Sequence, residues 1–443
     1  MQQLAQELQN RDTKINAKGL LGSSLSFVVQ AVFEKTELPL LLLFNDKEEA
    51  AYHLNDLEQL INDQDVLFYP ASYRRPYQID DVDNANVLLR AEVLNRINSR
   101  KKPAIIVSYA EAIFEKVVTR KELEKNTFKI AVSDKLAIDF INEVLFEYNF
   151  KRVDFVTEPG EFSVRGGIVD VFSFSNDNPY RIEFFGNEVD SIRSFDVETQ
   201  LSVERLKKIA IIPNVENKFF EENRESFLEY INEKTVLFIQ NTDLLTQQLD
   251  RAFEKSKEIF DKLSKEIKHA TPEELFINKE QFLKKALYFP VVELSYAPVF
   301  KCNKTIPFSI KPQPSFNKQF DLLLNNLSEN HFNGIKNYLF CSNDNQAGRF
   351  KEIFEDIDED NHEESLKKYQ TIVLPLFGGF IDEGNQIACY TDHQIFERYH
   401  KFSIKNGYSK KQTITLKELT SLVVGDYVTH IDHGIGKFGG LQK

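Results

Sequence analysis

The first 115 residues alternate short, continuous apolar runs with segments of helical periodicity. The runs at 38–46 (LPLLLLFND), 66–70 (VLFYP) and 104–109 (AIIVSY) show no alternation of apolar and polar positions, and helical segments separate them. Strands without such alternation are typical of a parallel sheet that helices cover on both faces. The pattern therefore predicts an α/β domain whose ligand loops lie at strand-to-helix turns.

A different pattern begins near residue 116. The segment 135–150 predicts an amphipathic helix with four apolar residues on one side: Leu136, Phe140, Val144 and Leu145. Short apparent strands with turn signals follow this helix, and α/β character returns at 234–245. We therefore predict a small α+β module that is inserted into the first domain.

Composition shifts divide the rest of the chain. Two prolines in SIKPQPSF (309–316) indicate a linker, and a third unit with strand and helix patterns follows them. The predicted organisation is an α/β multidomain chain with a first domain in two halves (1–115 and 208–312), the inserted module (116–207), a small α/β domain (313–405), a linker (406–420) and the start of a further domain (421–443).

The composition narrows the range of partners. The 443 residues are 42% hydrophobic and 28% charged, as in soluble globular proteins, and the formal net charge is −13. Affinity for nucleic acid depends largely on Lys and Arg that neutralise phosphates, so we expect weak or no DNA binding and favour protein partners. No apolar run is long enough to span a membrane and no signal-peptide layout is present, which predicts a cytoplasmic protein with no membrane contact.

The segment GLLGSSLSF (19–27) lies where a phosphate-binding loop would open a helix. Such a loop has the pattern Gly, four residues, then Gly-Lys-Ser/Thr. Gly19 and Ser26 are in register, but Ser24 replaces the second glycine and Leu25 replaces the lysine. The simpler interpretation is a helix start whose serines cap the first backbone amides.

Strand alternation gives one segment of the inserted module two distinct faces. In YRIEFFG (180–186) one face combines charges with an aromatic ring: Arg181, Glu183 and Phe185. The opposite face holds Ile182 and Phe184 and is expected to point into the core. A phenylalanine among charged residues is the layout of an anchor in a protein interface, and it equally fits a ring packed under a neighbouring loop.

Two turns are expected beside this strand. Gly186-Asn187 predicts a two-residue hairpin loop, and pairing across it would place Glu188 and Asp190 on the face of Arg181. Arg165 is followed by two glycines, which predict a bend that presents its side chain at a strand end.

The block 158–200 (EPGEFSVRGGIVDVFSFSNDNPYRIEFFGNEVDSIRSFDVETQ) resembles the module shared by the UvrB and transcription-repair coupling factor (Mfd) families, which docks onto UvrA. The segments 378–398 (GGFIDEGNQIACYTDHQIFER) and 425–440 (GDYVTHIDHGIGKFGG) resemble the end of the third domain and the opening of the RNA-polymerase-interacting barrel of the coupling factors. The motor domains of that family are absent. The resemblance therefore implies an amino-terminal, UvrB-homologous region that is truncated within the barrel.

For the first domain the resemblance implies a degenerate, helicase-like fold of the UvrB type. Leu25 stands at the position of the phosphate-binding lysine, and the neutral amides of Gln240 and Asn241 stand where the family has its magnesium-binding acids. The degenerate nucleotide site comprises Gly19, Gly22, Ser24, Leu25, Ser26, Gln240 and Asn241. No catalytic residue, cofactor or metal is expected in this chain, and ATP and Mg²⁺ would belong to the absent motor.

The UvrA contact in this family uses two arginines and an aromatic residue, which fall on Arg165, Arg181 and Phe185, with Glu183 as a neighbouring candidate. The implied function is a non-catalytic scaffold that recruits UvrA to lesion-stalled RNA polymerase for nucleotide excision repair. Full-length members are ATP-dependent DNA translocases. They bind the β subunit of RNA polymerase through the domain that begins at 421–443, and they restrain their motor by folding the UvrA-binding face against their own carboxy-terminal domain.

The alternative is a UvrB-like enzyme that binds ATP and verifies damage on DNA. That function requires a lysine at position 25, acids at 240 and 241, and an aromatic hairpin for strand insertion. The segment 72–87 lies where UvrB carries this hairpin and is too short to form it.

Overall fold

The computed structural model describes residues 1–10, 12–62, 65–72, 84–99, 102–173, 178–197, 199–212, 223–263, 270–357, 368–400, 427–430 and 434–437. Residues Met1–Ile404 form one compact unit, and Lys405–Lys443 form a second.

A parallel sheet with seven described strands forms the centre of the first domain. Across the sheet its strands are β17 (Lys304–Pro307), β1 (Lys14–Lys18), β16 (Val291–Glu293), β15 (Val236–Ile239), β2 (Leu40–Phe44), β4 (Ile105–Tyr109) and β3 (Val66–Phe68). All neighbouring strands are parallel. Strands β2, β3 and β4 are buried along their whole length, which confirms the parallel sheet predicted from the continuous apolar runs.

Nine described helices belong to the same domain. They are α1 (Gln2–Glu7), α2 (Ser24–Thr36), α3 (Lys47–Leu60), α4 (Asn84–Ser99), α5 (Ala110–Phe114), α8 (Phe227–Tyr230), α9 (Thr242–Phe260), α10 (Pro272–Leu275) and α11 (Lys279–Ala286). Asp46 accepts a hydrogen bond from the backbone amide of Glu49 and thereby caps α3. The hydrophobic core of the domain consists of buried residues from the sheet and from these helices.

The inserted module contains a second, mostly antiparallel sheet. Its described strands, in order, are β12 (Ser202–Leu206), β11 (Glu188–Phe195), β10 (Tyr180–Phe185), β9 (Ile168–Val171), β8 (Glu161–Arg165) and β7 (Lys151–Arg152). Only β7 and β8 pair in parallel among them. The module's other elements are α6 (Arg120–Lys125), α7 (Ile138–Glu147) and the pair β6 (Phe128–Ala131) and β13 (Lys208–Ile211), while β5 (Val117–Val118) pairs with β14 (Arg224–Glu225).

The buried side of α7 differs from the predicted one. The helix begins at Ile138, after Leu136, and it buries Ile141 and Leu145, which lie four residues apart on one face. Phe140 is exposed and packs edge-on against Phe128, with ring centroids 6.0 Å apart. The predicted helix is present, but the predicted apolar side is correct only at Leu145 and partly at Val144, which is half-buried.

A third sheet occupies the carboxy-terminal part of the first compact unit. Its described strands, in order, are β18 (Ile310–Pro312), β21 (Phe380–Asp382), β22 (Ile387–Thr391), β19 (Lys336–Cys341) and β20 (Tyr369–Val373). The helices of this region are α12 (Phe320–Phe332), α13 (Asp344–Ile357) and α14 (Asp392–Ile395). Strand β18 lies inside the segment predicted as a linker and already pairs with β21, so the third sheet begins before residue 313.

The second compact unit is described only as the antiparallel pair β23 (Tyr427–His430) and β24 (Gly434–Lys437). The predicted linker 406–420 and the rest of the predicted domain at 421–443 lie outside the described residues. In the described part of the chain, no helix has the length and apolar character needed to cross a bilayer.

Candidate functional site

The loop that resembles a phosphate cradle connects β1 to α2. Gly19 and Gly22 both have positive φ, at 96° and 53°, which glycine adopts readily. Ser24 does not cap the helix amides: its hydroxyl accepts from the amide of Leu21 at 3.0 Å and donates to the Leu21 carbonyl at 2.6 Å. The helix start is therefore confirmed, but its predicted capping by serine side chains is wrong.

Protein backbone from the third sheet's region lies against this loop. The amide of Ser23 donates to the carbonyl of Gly378 at 2.9 Å, and the amide of Gly378 donates to Oγ of Ser23 at 3.0 Å. A Cβ atom on Gly22 would lie 2.9 Å from the same carbonyl. The backbone amide that opens α2 is thus already bound by a carbonyl of the chain itself.

Residues at the lysine and serine positions of the loop pattern are buried. Leu25 is part of the hydrophobic core. The Ser26 hydroxyl lies 2.9 Å from Nδ1 of His53 and donates to Oδ2 of Asp56 at 3.1 Å. Because Ser26 is fully buried, its hydroxyl belongs to an internal hydrogen-bonded cluster and is not exposed as a nucleophile.

Burial sets the protonation of this cluster. It lowers the pKa of His53 to about 3. It also raises the pKa of Asp56 to about 7, although hydrogen bonds from Ser23, the Phe377 amide and Ser26 act in the opposite direction. The Phe377 amide donates to Oδ1 of Asp56 at 2.9 Å, so this carboxyl joins α3 to the segment that covers the loop.

The two amides at the positions of the family's acids have structural contacts. Gln240 accepts from Nδ2 of Asn45 at 2.8 Å and donates to Glu49 at 2.9 Å. Asn241 caps α9 by accepting from the amide of Leu244 at 3.0 Å. Within the described residues, no group of three or more His, Cys, Asp or Glu side chains could hold a metal ion.

Phe185 lies at the tip of the hairpin formed by β10 and β11. It pairs with Glu188 across the turn at Gly186-Asn187, and Gly186 has a φ of 63°. The phenylalanine is 85% exposed, so it does not pack under a neighbouring loop among the described residues. A large apolar ring in this position is suited to enter a pocket on another protein.

Arg165 and Arg181 converge on one buried carboxylate, Asp170. Arg181 binds it with two hydrogen bonds, from Nε at 2.8 Å and from Nη2 at 2.9 Å, and Nη2 of Arg165 lies 2.6 Å from Oδ2. The side chain of Asp170 is 1% exposed, whereas those of Arg165 and Arg181 are 41% and 18% exposed. The hydrogen bond to Asp170 raises the pKa of Arg181. The contacts with Asp170 restrain the orientation of both arginines.

Aromatic rings restrain the same two guanidinium groups. That of Arg165 lies 4.9 Å from the ring centroid of Phe155, which is 60% exposed, and that of Arg181 lies 4.3 Å from the ring of Phe195, which is buried. Since a partner need not restrict side chains that are already ordered, these contacts reduce the entropic cost of binding.

Glu183 is engaged inside its own sheet. It forms an ion pair with Arg193 and accepts from Oγ of Ser191 at 2.6 Å. The hydrogen bond from Arg193, followed by that from Ser191, lowers the pKa of Glu183. Glu183 is therefore already paired within its own sheet, as the two arginines are with Asp170.

A β-bulge alters the predicted pairing of the hairpin. The register shifts between Glu183 and Phe184, so that Ser191 lies opposite Glu183 and Asp190 has no direct partner. Pairing across the hairpin was predicted to place Asp190 on the face of Arg181. In the structure Ser191 and Arg193 occupy the paired positions on that face, so the prediction is wrong for Asp190. Ile182 is fully buried as predicted, but Phe184, beside the bulge, is only half-buried.

Sequence reasoning missed three contributors to this surface: Asp170, Phe155 and Arg193. Asp170 had a detectable signal, because it is the one acid within the apolar strand sequence IVDV and a buried acid requires partners. Phe155 and Arg193 had no such signal, since their neighbours come from other strands.

A family model matches most of the inserted module. The family model described as the UvrB interaction domain matches residues 128–217, which include β6 to β13 and all four residues of the predicted UvrA contact.

Relatives match along almost the whole chain. The transcription-repair-coupling factor of Bacillus subtilis (strain 168) is 24% identical over 96% of this chain, and that of Haemophilus influenzae is 23% identical over 98%. The corresponding protein of Staphylococcus haemolyticus is 23% identical over 96%. In each comparison the match spans 42% of the relative's length. These matches confirm the resemblance to the amino-terminal region of the transcription-repair-coupling factors.

Proposed function

We propose that this chain, as a relative of the amino-terminal region of the transcription-repair-coupling factors, is a non-catalytic scaffold that binds UvrA and recruits it to lesion-stalled RNA polymerase for nucleotide excision repair. The observation that carries the proposal is the exposed Phe185 beside two arginines that a buried Asp170 orients, within the segment matched by the UvrB interaction domain. An apolar anchor with charged neighbours is the usual composition of a binding hot spot.

The binding itself is testable with the two proteins alone. We expect the 443-residue chain to bind UvrA saturably in biolayer interferometry, with an affinity that falls as salt rises, because arginine–carboxylate pairs contribute to it. Absence of saturable binding at tens of micromolar UvrA, with UvrB as a positive control in the same assay, would contradict the proposal.

The scaffold is proposed to be inactive towards nucleotide. Leu25, Gln240 and Asn241 supply none of the charges that an ATPase site uses, and the opening amide of α2 is bound to Gly378. We therefore propose that ATP and Mg²⁺ act in the motor of the full-length protein. DNA binding by this acidic chain is likewise proposed to be weak.

Isothermal titration with Mg-ATP should accordingly give no saturable heat. The variant Leu25→Lys should not create binding, and it should lower the melting temperature because it places a charge in the core position of Leu25. Saturable binding of Mg-ATP in the micromolar range by the parent chain would instead favour the UvrB-like enzyme.

Two further interactions belong to the proposal through the resemblance. The domain that begins at 421–443 would bind the β subunit of RNA polymerase in the full-length protein. The UvrA-binding face would also fold against the protein's own carboxy-terminal domain and so restrain the motor until UvrA is needed.

A further inference from the structure

Three arginines lie side by side across the sheet of the inserted module. Arg181 on β10 pairs with Arg193 on β11, and Arg193 pairs with Arg205 on β12. On the other side of Arg181 the row continues to Asp170 on β9. Because directly paired residues of an antiparallel sheet project from the same face, these side chains form one row, which we call the arginine row: Asp170, Arg181, Arg193 and Arg205.

This arrangement is unfavourable for the isolated fold. Like charges directly opposite each other on neighbouring strands destabilise a sheet. Asp170 offsets the charge of Arg181, and Glu183 offsets that of Arg193. The side chain of Arg205 is exposed and forms no ion pair or hydrogen bond with the part of the chain that the structure describes. Its uncompensated charge lies at the edge of the sheet, since β12 is the outermost strand.

Exposed apolar side chains accompany the row at this edge. Val203, two residues before Arg205 on the same strand, is 60% exposed, and Leu201 is 69% exposed. Arg181 connects this edge to the UvrA-binding face, because its Nη2 lies 3.3 Å from Oε1 of Gln200. Arg181 thus links the proposed UvrA-binding face to the segment that leads into β12, where positive charge lies beside exposed apolar side chains.

We infer that the proposed UvrA-binding face extends along the arginine row to β12, where Arg205 pairs with carboxylates of the same partner and Val203 makes apolar contact beside it. This inference rests on the proposed function and adds a second contact region to it. Arginine suits the role because its planar guanidinium binds a carboxylate with two parallel hydrogen bonds.

A protein partner fits this surface better than nucleic acid does. Two of the three arginines are already held by carboxylates of the chain, which would oppose a phosphate backbone, and the chain as a whole carries a net charge of −13. Exposed aromatic and aliphatic side chains beside arginines are typical of the centre of a protein interface.

The test compares two charge reversals on the same sheet. Arg205→Glu should weaken the binding of UvrA about tenfold or more, because it places like charges against each other across the interface. Its melting temperature should be unchanged or slightly raised, since the change removes a like-charged neighbour of Arg193. Arg152→Glu is the matched control. Arg152 is exposed on β7, the opposite edge strand, and belongs to the row of paired residues next to the arginine row. This variant should bind UvrA within twofold of the parent.

The outcomes separate the two proposals. Parental binding by Arg205→Glu, with binding lost in Phe185→Ala, would overturn the extension and leave the proposed function intact. Parental binding by both variants would contradict the proposed function itself. If Arg205→Glu kept its affinity for UvrA but lost retention of a 20-base-pair duplex DNA, the row would serve nucleic acid and the inference would be wrong.

Discussion

Phe185→Ala should weaken the binding of UvrA to this chain roughly thirtyfold or more and leave its melting temperature unchanged. Truncation of an aromatic hot spot typically costs about 2 kcal/mol or more of binding free energy, which corresponds to that factor. The ring is 85% exposed at the tip of the hairpin, so its removal takes almost no buried apolar area from the folded chain. Binding by interferometry and thermal melts of the same preparations measure both quantities.

Two controls make this result specific. Phe332→Ala removes another phenylalanine, 90% exposed at the end of α12, and should change neither quantity. Ile182→Ala, on the core side of the same strand, should lower the free energy of unfolding by roughly 2–4 kcal/mol through a cavity. Phe185→Ala that melts early, or that binds UvrA as well as the parent, would show that the face is wrongly assigned.

Asp170→Asn should both destabilise the inserted module and weaken UvrA binding. The carboxylate is almost completely buried and holds two guanidinium groups, and removal of one partner from a buried ion pair typically costs about 3–5 kcal/mol. Solvent reaches Arg165, so we expect the lower end, roughly 3 kcal/mol in urea unfolding. Binding should fall as well, because neither arginine would keep the orientation that the carboxylate imposes.

The control for this variant is Asp190→Asn on the same hairpin. Asp190 is exposed at the bulge, so the same change of charge should alter stability by no more than about 0.5 kcal/mol. If Asp170→Asn unfolded like the parent and bound UvrA equally well, the buried carboxylate would not organise this surface.

The elements that follow from local pattern could be predicted from the sequence. Continuous apolar runs predicted the parallel strands β2, β3 and β4, since a strand buried on both faces needs no polar positions. Strand alternation placed Arg181 and Phe185 on the side opposite Ile182, and the glycines after Arg165 predicted the turn into β9. Each of these features depends on residues that are close in sequence.

The missed features depend on residues that are far apart or on an irregular strand. The contact between Ser23 and Gly378 joins positions 355 residues apart, and no local signal identifies it. The bulge at Asp190 has no signal in the local pattern, and it changed the faces that strict alternation assigns. The arginine row likewise becomes visible only when β10, β11 and β12 are aligned in register.

Site-specific photo-crosslinking tests the central claim most directly, namely that UvrA docks on the hairpin face of the inserted module. A benzoylphenylalanine at position 187, in the exposed turn beside Phe185, should crosslink to UvrA, while the same group at position 332 on α12 should not. A crosslink at position 332 and none at position 187, in variants that bind UvrA with parental affinity, would contradict the account.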